Sequence, residues 1–360
     1  MDIYKRKGCL FNVLWCYIIC KKHIRELYNF TDKEDKLKYV SRTEINDLST
    51  FDSTFIPFIK GVGNRNLVFR GMNNASFRLY SSLQRSWRWK GLDAFFKDHY
   101  SYIKYQIGNK SMMPIIMQYL GKDNVHDYNV LALIQHYGGD SNLLDFTTDI
   151  KSALFFAFDK CDMNLSANKD KLSDYVSIYA IDSSHLILQG PKEVSENGAK
   201  RLQSLVQNSG IPASKINAAK VLSDLSKSPY DKMYDGKIVH DGNVIYVPYF
   251  SYSSINPISN ANLKAQKGLF FQTASDDTPF EALLKEQHHE LTSPILMCYD
   301  IRKDLINDIK SKYDINYTYD QIYPNIANKR SIEKAVKTSM VIILFEYILR
   351  VFNKYSVPIN

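Results

Sequence analysis

Apolar and polar side chains alternate with period two over residues 176–181 (VSIYAI), a stretch rich in β-branched and aromatic residues, which predicts a strand. Residues 244–250, 269–273 and 295–300 carry the same signal, and 67–69 is a short apolar run of β character that ends at Arg70-Gly71. Helical spacing is found over 44–59, over 92–120 in two pieces broken at Pro114, and over 129–136. It returns from Thr148 or Asp149, as N-cap, through 158, and again over 302–313 and 331–351. The 129–136 helix runs into Gly138-Gly139, a pair able to take the positive φ that closes a helix. Strands and helices mix without strict alternation. The expected class is therefore α+β, a mixed or antiparallel central sheet flanked by helices, with a short N-terminal helical extension.

Along the chain this divides into an extension over 1–40, a main domain over 41–330 holding a polar insertion at about 187–242, and a C-terminal helix over 331–360. The extension opens with Lys5-Arg6-Lys7 and an apolar run over 9–20, then Lys21-Lys22. Twelve residues are too few for a membrane span, which needs about 20. No small-residue cleavage site follows, so the run reads as an amphipathic helix or appended segment. The apolar run over 341–352, interrupted by Glu346 and Arg350, reads as a buried helix, and no membrane span is expected.

The 360 residues are 45% hydrophobic and 23% charged, which places the chain among globular proteins and not among disordered ones. The net charge of +8 suits acidic or phosphorylated partners, but the lysines are scattered among Asp, Asn and Ser and form no basic run. The cysteine count is odd, and Cys16 and Cys20, spaced i, i+4, have no His–Cys cluster near them to complete a metal site. No metal is expected, and a reducing cytoplasm is. Phosphate-loop, dinucleotide-fingerprint, zincin and nucleophile-elbow motifs are absent from the sequence.

The candidate chemistry lies elsewhere. Arg70 stands at the end of an apolar strand, where its five-donor fork suits a carboxylate or a pyrophosphate, or a salt bridge to Asp145. Gly71 beside it would let the chain turn and a ligand approach. His136 closes a helix, where the dipole favours its charged form and an acid–base role. Gln135 offers a donor and an acceptor beside it, and Tyr137 follows. Asp145, set in an apolar run, is expected to be structural, pairing with Arg70 or capping the next helix. Gln266, two residues before Gly268, would form a third wall or anchor a loop.

These segments resemble the FRG domain family, named for the tripeptide that stands here as Phe69-Arg70-Gly71. The resemblance continues through Leu79–Arg85 (LYSSLQR), Gln135-His136-Tyr137-Gly138, Leu143-Leu144-Asp145-Phe146-Thr147, Ala153-Leu154-Phe155-Phe156-Ala157 and Gln266-Lys267-Gly268-Leu269-Phe270. It ends near Tyr323-Pro324. The family carries arginines where this chain has Asn142 and Asn262, and a proline where it has Ser81.

Three readings stay open at this point. The first is a bacterial toxin or phage-defence effector akin to ADP-ribosyltransferases, with Arg70, His136 and Gln266 as catalytic residues and Gln135, Tyr137 and Gly71 as ligand-binding ones. It would use NAD as substrate, and its macromolecular target would be protein or nucleic acid. Such enzymes use a glutamate, for which Glu281, Glu286 and Glu290 are the downstream choices. The second reading is a nucleic-acid-binding or RNA-cleaving protein, and the third is a non-catalytic module that senses a nucleotide-type small molecule.

Overall fold

A computed structural model describes residues 28–61, 67–89, 96–108, 127–182, 244–247, 261–287, 291–315, 317–324 and 332–339, apart from 274 and 293, together with 92 and 330. The expected helix in 9–20, the break at Pro114, the 187–242 insertion and the end of the C-terminal helix lie outside the described residues.

Among the described residues seven strands form one sheet: β1 (Ser41–Ile45), β2 (Leu67–Met72), β3 (Leu143–Thr147), β4 (Tyr175–Asp182), β5 (Val244–Val247), β6 (Gly268–Thr273) and β7 (Met297–Arg302). Their order across the sheet is β1-β7-β4-β2-β3-β6-β5. The β1–β7 pair is parallel and the others are antiparallel, so the sheet is mixed and the fold is α+β. Pairing is continuous except at one place: β2 and β3 meet only at Phe69 and Thr147. The sheet opens there, and backbone groups of β3 on that side need other partners.

The helices are α1 (Lys33–Leu37), α2 (a run over 48–60 with a π-helical turn at Phe51–Phe55), α3 (Ser82–Trp89), α4 (His99–Gly108), α5 (Asp127–His136) and α6 (Ile150–Phe158). They continue with α7 (Ala261–Ala265), α8 (Phe280–Gln287), α9 (Ile306–Tyr313) and α10 (Tyr319–Ile322), and a further helical run covers 332–339. On one face Leu67, Phe69, Ile178, Ala180 and Ile301 pack against α2, α6 and α9. On the other, Val68, Leu144, Phe146, Tyr179 and Phe271 pack against Phe280, Leu283 and Leu284 of α8. A third cluster joins Leu83 and Trp87 of α3, Tyr102 and Ile103 of α4, and Leu131 and Ala132 of α5 to Leu143 and Phe270. Alternation along β2 and β4 thus feeds a core on each face of the sheet.

Several sequence expectations are corrected. Glu44 lies in β1, not in a helix; the helix begins after Asp47, whose carboxylate accepts from the Thr50 amide at 2.8 Å. Strand β2 continues through Arg70 and Gly71 to Met72, so Arg70 sits inside a strand rather than at its end. The Leu-Leu-Asp run is a strand, β3. Arg302 ends β7, and helix α9 starts only at Ile306. The charged stretch expected to close the extension is drawn into the sheet. Lys36 is fully buried and bonds Asp300 of β7 at 2.8 Å, Ser177 of β4 at 2.9 Å and the Ala75 carbonyl at 3.0 Å. Among the described residues no helix is long and apolar enough to cross a membrane.

Candidate functional site

Helix α5 ends in a Schellman motif. The Gly139 amide donates to the Ile134 carbonyl at 2.8 Å, the Gly138 amide donates to the Gln135 carbonyl at 3.3 Å, and Gly138 takes φ of +77°. The motif fixes the helix end and so the direction of its last side chains, Gln135 and His136. Gln135 Nε2 donates to Asp145 Oδ2 at 2.6 Å. From the split in the sheet, Arg70 Nη1 donates to the Asp145 backbone carbonyl at 2.5 Å and stands 4.0 Å from Asp145 Oδ2. The Arg70 side chain thereby supplies β3 with a donor that the β2 backbone does not. Of the two structural roles expected for Asp145 the pairing with Arg70 is the one realised, and Gln135, expected to bind a ligand, instead bonds the same carboxylate. The helix cap is Asp149, which accepts from the Ser152 amide at 3.1 Å.

Asp145 keeps 49% of its side-chain surface open, yet burial raises its pKa above the ordinary carboxylate value, with Arg70 and the Gln135 amide acting against the rise. Arg85 of α3 behaves in the same way. It is exposed, but burial, and next the like charge of Arg70, push it down to about 10, while Asp145 pulls it back up. Both groups reach solvent on one side and stand against protein on the other. Both arginines stay charged at any working pH. Tyr323, after α10, is pushed up by burial and then by the charge of Asp145. Its ring lies 6.4 Å from that of His136 and stacks on Tyr319 at 5.8 Å, forming an aromatic wall.

The other expected site residues stand elsewhere. Gly71 faces α6, and a Cβ there would lie 1.9 Å from the Ala153 carbonyl oxygen; it admits a helix, not a ligand. Tyr137 is buried, with its ring edge-on to His136 at 5.1 Å. Gln266 is buried, and its Nε2 donates to the Ile322 carbonyl at 3.1 Å, so it braces the segment that carries Tyr323. Asn142 and Asn262 are fully buried, and Asn142 Nδ2 donates to the Thr273 carbonyl at 3.2 Å. Glu281 is also buried, bonded to Arg78 Nε at 2.8 Å and to the Leu79 amide at 3.1 Å, which is a structural role; Glu290 lies outside the described residues. Arg85 and Tyr323 were not singled out as site residues from sequence. For Arg85 the available signal was its position two residues from each of the core residues Leu83 and Trp87, which turns it away from the core side of α3. The cavity of about 490 Å³ beside Phe155, Phe158, Lys160 and Lys310 is separate from this cluster.

Comparison with curated proteins finds no match, and comparison with solved structures finds none either. A family model does match: the FRG domain, over residues 65–165. That span holds Arg70, Arg85, Gln135, His136 and Asp145, and the chain therefore contains an FRG domain to which these residues belong.

Proposed function

We propose that the cleft binds an anionic nucleotide of the NAD type and breaks its glycosidic bond. The observation that carries this reading is an accessible carboxylate, Asp145, with the Arg70 guanidinium 4.0 Å away and the Gln135 amide bonded to it at 2.6 Å. Arg85, the more open arginine, grips the pyrophosphate. Arg70, 14% exposed, adds its charge and fixes the Asp145 backbone. Tyr323 and His136 flank a planar ring. As the bond between C1′ of the ribose and the nicotinamide nitrogen breaks, nicotinamide leaves with the bonding pair, and ionised Asp145 stabilises the positive charge left on the sugar. Water or a nucleophile on a macromolecular target then captures that carbon, which gives NAD hydrolysis or ADP-ribosyl transfer. On this assignment Asp145 replaces the glutamate expected from other such enzymes, and a toxin or phage-defence role is the biological setting that fits NAD depletion or target modification.

Asp145 must be ionised to act, so the rate should rise with pH through a midpoint above the ordinary aspartate value, in the direction of its shift. The binding half of the reading is tested by calorimetric titration of NAD. Arg85→Ala removes a charge-assisted contact worth about 1.5–3 kcal/mol, so affinity should fall about 10- to 100-fold with the melting temperature unchanged. Equal affinity in wild type and variant would remove Arg85 from the site. A second reading, a sensor that binds without turnover, is favoured by the burial of Asn142 and Asn262, which leaves the cleft without the two arginines the family carries there. Tight NAD binding with no nicotinamide release would select it.

A further inference from the structure

We infer that Gln135 is a positioning residue whose amide, fixed by Ser141 and Ser82, holds Asp145 Oδ2 and leaves Oδ1 as the carboxylate oxygen that meets the ligand. The inference rests on the reading of the cleft given above and adds which atom reacts and what sets it.

The argument follows the protons. Ser141 Oγ accepts from the Leu143 amide at 3.0 Å, so its own hydrogen is directed to Gln135 Oε1, 3.1 Å away. Ser82 Oγ accepts from the Ser141 amide at 3.0 Å. Its neighbours on the donating side are all acceptors: Gln135 Oε1 at 3.1 Å, the Ser141 carbonyl at 3.1 Å and the Gly139 carbonyl at 3.3 Å. Gln135 Oε1 is thus the end that receives hydrogen bonds, and its NH₂ must point the other way, at Asp145. The amide cannot flip without setting its NH₂ against the serine hydroxyls and its oxygen against the carboxylate. Ser82 begins α3, Ser141 follows the glycine turn and Gln135 lies in the last turn of α5, so three elements fix one side-chain orientation. Gln135 is consequently not available as a ligand acceptor. The remaining oxygen, Oδ1, suits a ligand atom that is electron-poor or carries a donor: a sugar hydroxyl, or a ribosyl carbon developing positive charge. A second anionic group there would be repelled.

The test reads Asp145 itself, by ¹³C NMR titration of its side-chain carboxyl in the full chain without ligand. Gln135→Leu removes a hydrogen bond to the charged form and should raise the midpoint by about one pH unit. Ser141→Ala, which frees the amide to turn, should raise it by less. The isosteric Gln135→Glu keeps the shape if the leucine variant folds poorly; it places two carboxylates together and should raise the second deprotonation of the pair by about two units. The pH dependence of kcat for NAD should move by the same amounts while KM holds. Midpoints within about 0.2 units of wild type in both Gln135 variants would overturn the inference. If the midpoints move but wild type does not cleave NAD, the positioning stands and the NAD reading falls.

Discussion

Gly71→Ala should lose at least about 3 kcal/mol of stability, the upper range for overpacking a filled interior, against a typical total of about 5–15 kcal/mol. The added Cβ would lie 1.9 Å from the Ala153 carbonyl oxygen and 2.7 Å from the Ala157 amide nitrogen, both backbone atoms of α6 that no rotamer change can move. Helix α6 must retreat, and it carries Ala153, Leu154, Ala157 and Phe158 into the core that Leu67, Phe69 and Ile178 complete. The result is a physical account of the tripeptide. Phe69 fills the α6 face, Arg70 faces the opposite way with its guanidinium 6.0 Å from the Phe146 ring, and Gly71 lets the helix lie against the strand. Urea denaturation measures the effect. A variant within 1 kcal/mol of wild type would show that α6 is not seated as described.

Asp300→Ala should cost about 3–5 kcal/mol at neutral pH, because it strands buried cations. Asp300 is fully buried. It accepts from Lys36 Nζ at 2.8 Å, from Ser177 Oγ at 2.6 Å and from Arg42 Nε, so one carboxylate joins α1, β1, β4 and β7. Burial alone would raise its pKa, but Lys36 and Arg42 outweigh burial and hold it below the ordinary value. A depressed acid contributes stability that is present above its unfolded pKa, about 3.9, and lost as pH falls through its folded one. Wild type should therefore weaken progressively below about pH 4. Glu44, lowered to about 2 against its burial by Lys33, Tyr175 and Arg42, adds to the same trend. In Asp300→Ala the Asp300 share of the acid dependence should vanish, which paired denaturation curves at pH 7 and pH 3 would show. An unchanged pH slope would contradict the role given to this carboxylate.

Strands β4, β6 and β7 were legible in the sequence because their stability comes from apolar side chains that alternate or run together, a local pattern. Strand β1 was not. Its residues Ser-Arg-Thr-Glu-Ile are mostly polar, and Arg42 and Glu44 are held by partners far away in sequence, so no local period reveals the strand. Strand β3 was hidden for a related reason: Asp145 interrupts its apolar positions, and only its distant partners Arg70 and Gln135 explain a carboxylate there. At the site, the pairing of Arg70 with Asp145 followed from a carboxylate set in an apolar run, whereas the Gln135–Asp145 bond did not. The roles of Gln266 and Gly71 did not, because an amide's partner and the space beside a glycine are set by elements about 56 and 82 residues further on, Ile322 and Ala153. Arg85 stood within the Leu79–Arg85 motif, and its exposure on α3 became visible only in the fold.

The central claim, that this cleft cleaves an NAD-type nucleotide through Asp145, is tested most directly by nicotinamide release from NAD, with and without a cell lysate as source of targets. The account predicts release, or transfer of labelled ADP-ribose to a lysate component, by wild type, and a loss of at least about 100-fold in Asp145→Asn at unchanged melting temperature. No release and no transfer by wild type, or full activity in the variant, would contradict it.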